Sequence, residues 1–171
     1  YGVSKVLMEN LGVYYKQKHS IDFRSIRYIG VVSPFEYAYN GSTDYASEIF
    51  FKAKRKEEYD ICLSNQRILP MAYIDDIING TIDLLDAPKE KITEGVYNIN
   101  SCSFSVEEMV KLIKKKYPDF KYKIKPDLRD QISSTWPYNY DDSKARSDWN
   151  WSPKYDSLEK IFGVMDENVR I

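Results

Sequence analysis

The chain has 171 residues, 43% of them hydrophobic, 15% aromatic and 30% charged, which is the composition of a globular protein with one ordinary core. Its formal net charge of −1 provides no overall field to attract nucleic acid or an acidic membrane, and no apolar run approaches the roughly 20 residues of a membrane-spanning helix. Two well-separated cysteines and a single histidine cannot assemble a four-ligand zinc site, so we expect no metal and a reducing, intracellular compartment.

The first third of the sequence predicts a helix, a strand and a second helix. Apolar residues recur at helical spacing over 2–18, and β-branched and aromatic residues dominate 21–32, as in a strand covered on both faces. A loop at 33–44 precedes a helical pattern at 45–56. This loop is a candidate ligand contact.

Strands and helices keep alternating along the rest of the chain. Short strands are predicted at 59–63, 68–73, 95–99 and 121–124, helices at 75–87, from Ser105 onward behind a capping box, at 143–149 and at 157–169, and an irregular segment at 126–140. Asp76 is predicted to cap the helix that begins beside it. The alternation indicates an α/β protein with a parallel sheet and a smaller lobe.

Tyr1 and Lys5 are four residues apart, which places a phenol and an ammonium on one face of the first helix, one turn from each other. A phenol is a poor base at neutral pH, but a lysine cation and an oxidised nicotinamide beside it would stabilise its phenolate. The same spacing occurs by chance on many helices. An ordinary helix surface is therefore the alternative.

The helix with this motif, followed by a strand that ends in Gly30-Val31-Val32-Ser33-Pro34, resembles the extended short-chain dehydrogenase/reductase family. Within that family the chain is most similar to the L-threonine 3-dehydrogenases of the short-chain type. Segments that carry the likeness, in the family's order, are 27–33, 41–46, 69–71, 97–99, 126–129, 134–137, 141–146 and 148–151. The chain departs from the usual pattern at Ile29, Ser42 and Asn150.

The resemblance implies the back portion of a Rossmann-type doubly wound parallel sheet plus a smaller α/β substrate-binding lobe. Residues 1–100 would hold the C-terminal part of the Rossmann domain with interleaved substrate-loop segments, and 101–171 mainly the lobe and the terminal helix. Because the sequence opens with Tyr1 rather than methionine, we expect the N-terminal nucleotide-binding half, with its Gly-rich loop, to be absent from this chain. The chain alone is then expected to be inactive.

For the chemistry, the resemblance implies that Tyr1 takes the proton of the L-threonine hydroxyl while a hydride passes to NAD, giving 2-amino-3-oxobutanoate. Three residues would contact the cofactor: Tyr1, Lys5, which would hold the nicotinamide ribose, and Val31, which would form the floor under it.

The substrate residues implied by the resemblance are Thr43, Asp44 and Trp136. Thr43 and Asp44 precede a helix, so the alternative for both is an N-cap, although an Asp44 carboxylate could pair with the ammonium of threonine. Trp136 would close over the substrate or, alternatively, fill a gap between lobe and sheet. Arg129 is expected in an ion pair, and Trp149 and Trp151 in the core.

Two other possibilities stay open: a nucleotide-sugar epimerase or dehydratase of the same superfamily, or an inactive truncated remnant or interaction module. The resemblance also implies a homodimer formed through the 1–18 helix. It places the protein in mitochondria if the source is eukaryotic and in the cytoplasm if it is bacterial.

Overall fold

The computed structural model describes residues 1–36 and 41–171, so the part of the predicted loop at 37–40 lies outside the described residues. The helices are α1 (Gly2–His19), α2 (Tyr45–Arg55), α3 (Ile74–Asp86), α4 (Val106–Lys116), α5 (Leu128–Ser133), α6 (Ser143–Trp149) and α7 (Leu158–Asn168). The strands are β1 (Ser25–Arg27), β2 (Gly30–Val32), β3 (Tyr59–Ile61), β4 (Ile68–Tyr73), β5 (Val96–Asn98), β6 (Cys102–Ser105) and β7 (Tyr122–Ile124). Among the described residues, every helix is too short or too polar to cross a bilayer.

The predicted strand at 21–32 is in fact two short strands, because the chain changes its pairing partner. β1 pairs in parallel with β5, with Ser25 opposite Val96. After the break at residues 28–29, β2 pairs in parallel with β4, with Gly30 opposite Met71. A ladder cannot continue where the neighbouring strand is replaced. One predicted strand therefore joins two sheets.

The sheets are small and mostly parallel. β2, β4 and β6 form a three-stranded sheet in which β6 runs antiparallel to β4, and β3 pairs in parallel with β7. The sequence analysis did not predict β6 or α5, which have four and six residues. The predicted α/β class with parallel strands is confirmed.

Two apolar clusters form the core. The larger lies around α2, α4 and α7 and includes Phe50, Met109 and Ile161. The smaller lies between α3, α6 and β5 and includes Trp149 and Trp151, which were expected in the core. The predicted division of the chain at residue 100, between the Rossmann part and the lobe, stays a prediction. Two strand pairs, β4 with β6 and β3 with β7, cross that position.

Asp76 is not the helix cap that the sequence predicts. Its side chain is buried, and its two carboxylate oxygens accept the backbone N–H groups of Lys154 and Tyr155 at 2.9 Å each. The N-cap position of α3 is Tyr73, without a side-chain cap bond. A buried carboxylate needs such partners, so Asp76 ties α3 to the chain that follows α6.

Apolar side chains on α1 remain exposed. None of its residues is buried by the part of the chain that the structure describes. The exposed apolar side chains of α1 are Val3, Val6, Leu7, Met8, Leu11, Tyr14 and Tyr15. A run of this kind on one helix is typical of a surface that packs against further protein.

The first testable prediction concerns Asp148, which is 7% exposed. Its carboxylate accepts bonds from Thr93, Tyr97 and Ser147. Burial opposes the charged form, but these bonds outweigh it and lower the pKa of Asp148 from 3.8 to about 2. Asp148→Asn should lower the free energy of unfolding at pH 7 by about 2 kcal/mol, because neutral Asn accepts these bonds less well.

A depressed pKa contributes stability above the unfolded value that is lost as the pH falls through the folded value. Wild-type stability should therefore drop between about pH 4 and pH 2 by more than that of Asp148→Asn, measured by urea unfolding at each pH. Asp119→Asn, at an exposed position, is the control. Parallel pH profiles for wild type and Asp148→Asn would contradict the assignment.

Candidate active site

The predicted adjacency of Tyr1 and Lys5 is present. Tyr1 is the N-cap residue of α1, and its carbonyl accepts the Lys5 N–H at 3.1 Å and the Ser4 hydroxyl at 2.7 Å. The Lys5 ammonium lies 5.2 Å from the centre of the Tyr1 ring, and the Tyr1 side chain is 95% exposed. The phenol and the cation are thus neighbours on an open surface.

Ionic and steric contacts fix α1 to β1. Arg27 donates from Nε and Nη2 to the two oxygens of Glu9, at 2.9 and 2.6 Å, and this guanidinium lowers the pKa of Glu9. Gly12 leaves room for the Phe23 ring, since a Cβ at residue 12 would overlap it. A fork-shaped ion pair of this kind gives orientation as well as attraction. These contacts join the helix that carries Tyr1 and Lys5 to β1 and to Phe23, which precedes β1.

An open cavity of about 390 Å³ lies between α1 and β1, with Tyr1, Lys5 and Arg27 in its wall. A second cavity, of about 360 Å³, is lined by Val31, Thr43 and Asp44 together with Ser33, Ser47 and Ile74. The structure therefore brings Val31, Thr43 and Asp44 together, as the predicted roles require. It places Tyr1 and Lys5 in the wall of a different cavity.

Hydrogen bonds hold the segment before α2 in place. Ser42 is 7% exposed and donates to the Arg129 carbonyl at 3.1 Å, which ties this segment to α5. Asp44 occupies the N-cap position of α2 but makes no side-chain cap bond there. Its Oδ2 accepts the Gly41 N–H at 2.7 Å instead. The Asp44 carboxylate thus bonds to the backbone three residues before it and also lines the cavity.

Two serines line the same cavity: Ser33, which belongs to the loop predicted as a candidate ligand contact, and Ser47, which sequence reasoning missed. The Ser33 N–H donates to the Ser47 hydroxyl oxygen at 3.0 Å, which joins the end of β2 to the first turn of α2. The available signal for Ser33 was position: it stands where a strand ends, and such ends of parallel strands are where open α/β sheets hold ligands.

Trp136 and Arg129 lie near α5. Trp136 follows the helix, is 40% exposed, and does not line either of the two cavities. Its backbone N–H donates to the Ser133 carbonyl at 3.1 Å. Arg129 pairs with Asp127 at 2.6 Å, so the predicted ion pair is confirmed.

Comparison with known proteins gives the family. The model of the NAD dependent epimerase/dehydratase family matches residues 1–100, more than half of the chain. The chain belongs to this family. Within it, the chain is 39% identical over 168 residues to the mitochondrial L-threonine 3-dehydrogenase of Bos taurus, covering 97% of this chain and 45% of that protein.

Solved structures of the family agree. An L-threonine dehydrogenase from Cupriavidus necator superposes with a TM-score of 0.95 at 38% identity, covering 99% of this chain and 61% of that one. A UDP-glucose 4-epimerase from Thermotoga maritima, at 21% identity and a TM-score of 0.76, shares the fold; the match covers 99% of this chain and 52% of that chain. The chain spans about half the length of the curated relatives that it matches.

The residues present fit one end of the family's dinucleotide. The Lys5 ammonium lies over the Tyr1 ring in the wall of an open cavity, and an ammonium and a phenol are donors that suit the hydroxyl groups of a ribose. None of the seven glycines forms a Gly-x-Gly-x-x-Gly loop, so this chain offers no such loop to the phosphates. The groups present therefore suit a ribose of the dinucleotide.

The second testable prediction concerns the anchor at Ser42. Ser42→Ala should lower the free energy of unfolding by about 1 kcal/mol, because a part-buried hydrogen bond to the Arg129 carbonyl is lost. Amide hydrogen exchange in residues 41–44 should become faster. The control is Ser134→Ala, which removes an exposed hydroxyl bonded only one turn back, to the Gln131 carbonyl. Equal exchange in both variants would show that Ser42 does not anchor the loop.

Proposed function

We propose that the chain is the C-terminal, substrate-holding part of an NAD-dependent L-threonine 3-dehydrogenase. The observation that carries the proposal is the alignment of L-threonine dehydrogenases over nearly the whole chain, at 38–39% identity, with Tyr1 and Lys5 side by side at the start of α1. The reaction oxidises the side-chain hydroxyl of L-threonine and gives 2-amino-3-oxobutanoate. Bound NAD supplies the acceptor for the hydride that leaves the substrate carbon.

The residues of this chain have separate roles in that reaction. Tyr1 accepts the proton of the substrate hydroxyl, and the Lys5 cation stabilises the phenolate and holds the nicotinamide ribose. Val31, at the end of β2, forms the apolar floor beneath the cofactor.

The substrate itself is held by the second cavity. Asp44 pairs with its ammonium group, and Thr43 contacts its polar groups. Trp136 closes over the bound amino acid and excludes water. Because Tyr1 and Trp136 lie outside the Val31–Thr43–Asp44 cavity in the structure, closure of the site around both ligands is part of the proposal.

The proposal places the dinucleotide phosphates on a segment outside these 171 residues, so the chain by itself is inactive. It also includes a homodimer that packs through α1, which the exposed apolar residues of that helix support. A eukaryotic source would place the protein in mitochondria and a bacterial source in the cytoplasm.

A nucleotide-sugar epimerase or dehydratase is the weaker candidate. Such an enzyme must bind a pyrophosphate, a task suited to free arginines. The candidates in the lobe already have carboxylate partners: Arg129 pairs with Asp127 at 2.6 Å, and Arg146 pairs with Asp142 at 2.9 Å. These ion pairs favour a small amino-acid substrate.

The third testable prediction concerns Tyr1 in a protein that joins this chain to its dinucleotide-binding segment. Tyr1→Phe should lower kcat for L-threonine by at least about 100-fold, because the proton acceptor is removed while the ring remains. NADH formation followed by absorbance measures this rate. Tyr14→Phe, at an exposed tyrosine on the same helix, is the matched control and should retain the wild-type rate.

Unimpaired turnover by Tyr1→Phe would contradict the proposed mechanism. Failure of the wild-type protein to oxidise L-threonine, together with binding of a UDP-sugar, would replace the proposed function with the epimerase one.

A further inference from the structure

Gly30 lies where β2, β4 and the segment before α2 meet. It pairs with Met71 across the ladder, and a Cβ placed on it would lie 2.7 Å from Thr43 Cγ2 and 3.0 Å from Thr43 Cβ. It would also overlap the Met71 sulfur. Real Cβ atoms do not approach other heavy atoms so closely, so the missing side chain at residue 30 makes the room that Thr43 occupies.

Residue 30 is a glycine because a side chain there would lack space, and not because its backbone conformation requires glycine. No described glycine has a positive φ, so other residues could adopt the backbone angles of Gly30. Glycine within a strand weakens it, unless another group has to approach its backbone closely. Here the group that approaches is Thr43.

Thr43 has little freedom to retreat. Its neighbour Ser42 is tied to the Arg129 carbonyl, and its neighbour Asp44 is tied to the Gly41 N–H. Threonine is also stiff at χ1 because it branches at Cβ. Met71 is different, since its unbranched thioether can shift within the core. An added methyl group at residue 30 would therefore displace mainly Thr43.

The contact orients the Thr43 hydroxyl. The methyl group of Thr43 faces Gly30, and no hydrogen bond to its hydroxyl is found within residues 1–36 and 41–171. Thr43 also lines the cavity that contains Val31 and Asp44. Since Cγ2 and Oγ1 share one Cβ, docking of the methyl on the strand fixes where the hydroxyl points.

We propose that Gly30 is a positioning residue for substrate binding: by admitting the Thr43 methyl against β2, it sets the direction of the Thr43 hydroxyl toward the amino-acid substrate. This inference rests on the proposed function. It predicts that residues 30 and 43 act on the KM for L-threonine as a coupled pair, which a purely structural glycine would not do.

The fourth testable prediction is a double-mutant cycle in the protein that joins this chain to its dinucleotide-binding segment. Gly30→Ala should raise the KM for L-threonine by about tenfold with a much smaller change in kcat, because a binding group is misplaced. Thr43→Ser, which keeps the hydroxyl and removes the methyl that would meet the new Cβ, should raise KM less. The double variant should have a lower KM than Gly30→Ala, because serine lacks the Cγ2 that is the nearest atom of Thr43 to the added Cβ.

Gly163→Ala is the matched control, since a Cβ there has nothing within 4 Å, and it should leave KM unchanged. If the increases in KM for the two single variants multiply in the double variant, the proposal is overturned. If Gly30→Ala does not fold, Thr43→Ser alone decides: an unchanged KM means that the methyl contact does not orient the hydroxyl.

A crystal structure of Gly30→Ala separates this inference from the proposed function. The Thr43 side chain should change its χ1 rotamer or move away from β2, whichever substrate the protein uses. An unmoved Thr43 side chain overturns the inference even if L-threonine is the substrate. If the wild-type protein does not oxidise L-threonine, the proposed function is overturned. The position of Thr43 in the Gly30→Ala structure would still test the contact between residues 30 and 43.

Discussion

The short segment from Ser25 to Ser33 is the constraint on which the candidate site depends. Its backbone pairs first with β5 and then with β4, so it joins two sheets. Its side chains reach the surrounding helices: Arg27 pairs with Glu9 of α1, and Tyr28 shares a hydrogen bond with Thr81 of α3. At its end, the Ser33 N–H meets Ser47 of α2. This segment therefore contacts three helices as well as two strands.

This arrangement separates a rigid part of the site from an adjustable one. Val31 is held by strand pairing, and Thr43 and Asp44 by two hydrogen bonds of the segment before α2, one within it and one from Ser42 to the Arg129 carbonyl. Tyr1, the N-cap residue of α1, has an exposed side chain, and Trp136 is only partly covered. In our proposal, the groups that would bind the amino acid are thus preorganised, whereas those that would complete the site have exposed side chains.

The features that depend on neighbours along the chain could be predicted from the sequence. The features that depend on contacts between distant residues could not. Spacing alone placed Lys5 beside Tyr1, and helical period gave α1 and α2, because these depend on neighbours along the chain. The break of the predicted strand at 21–32 depends on the exchange of β5 for β4 as the partner strand, which no local pattern records. Asp76 likewise found partners in Lys154 and Tyr155, far along the chain.

The most direct test of the account is a crystal structure of the protein that contains this chain and its dinucleotide-binding segment, with NAD and L-threonine bound. The account predicts the substrate ammonium against Asp44 and the substrate hydroxyl about 3 Å from the Tyr1 hydroxyl, within hydrogen-bond reach. L-threonine bound away from the Val31–Thr43–Asp44 cavity, or a Tyr1 hydroxyl turned away from the bound substrate, would contradict it.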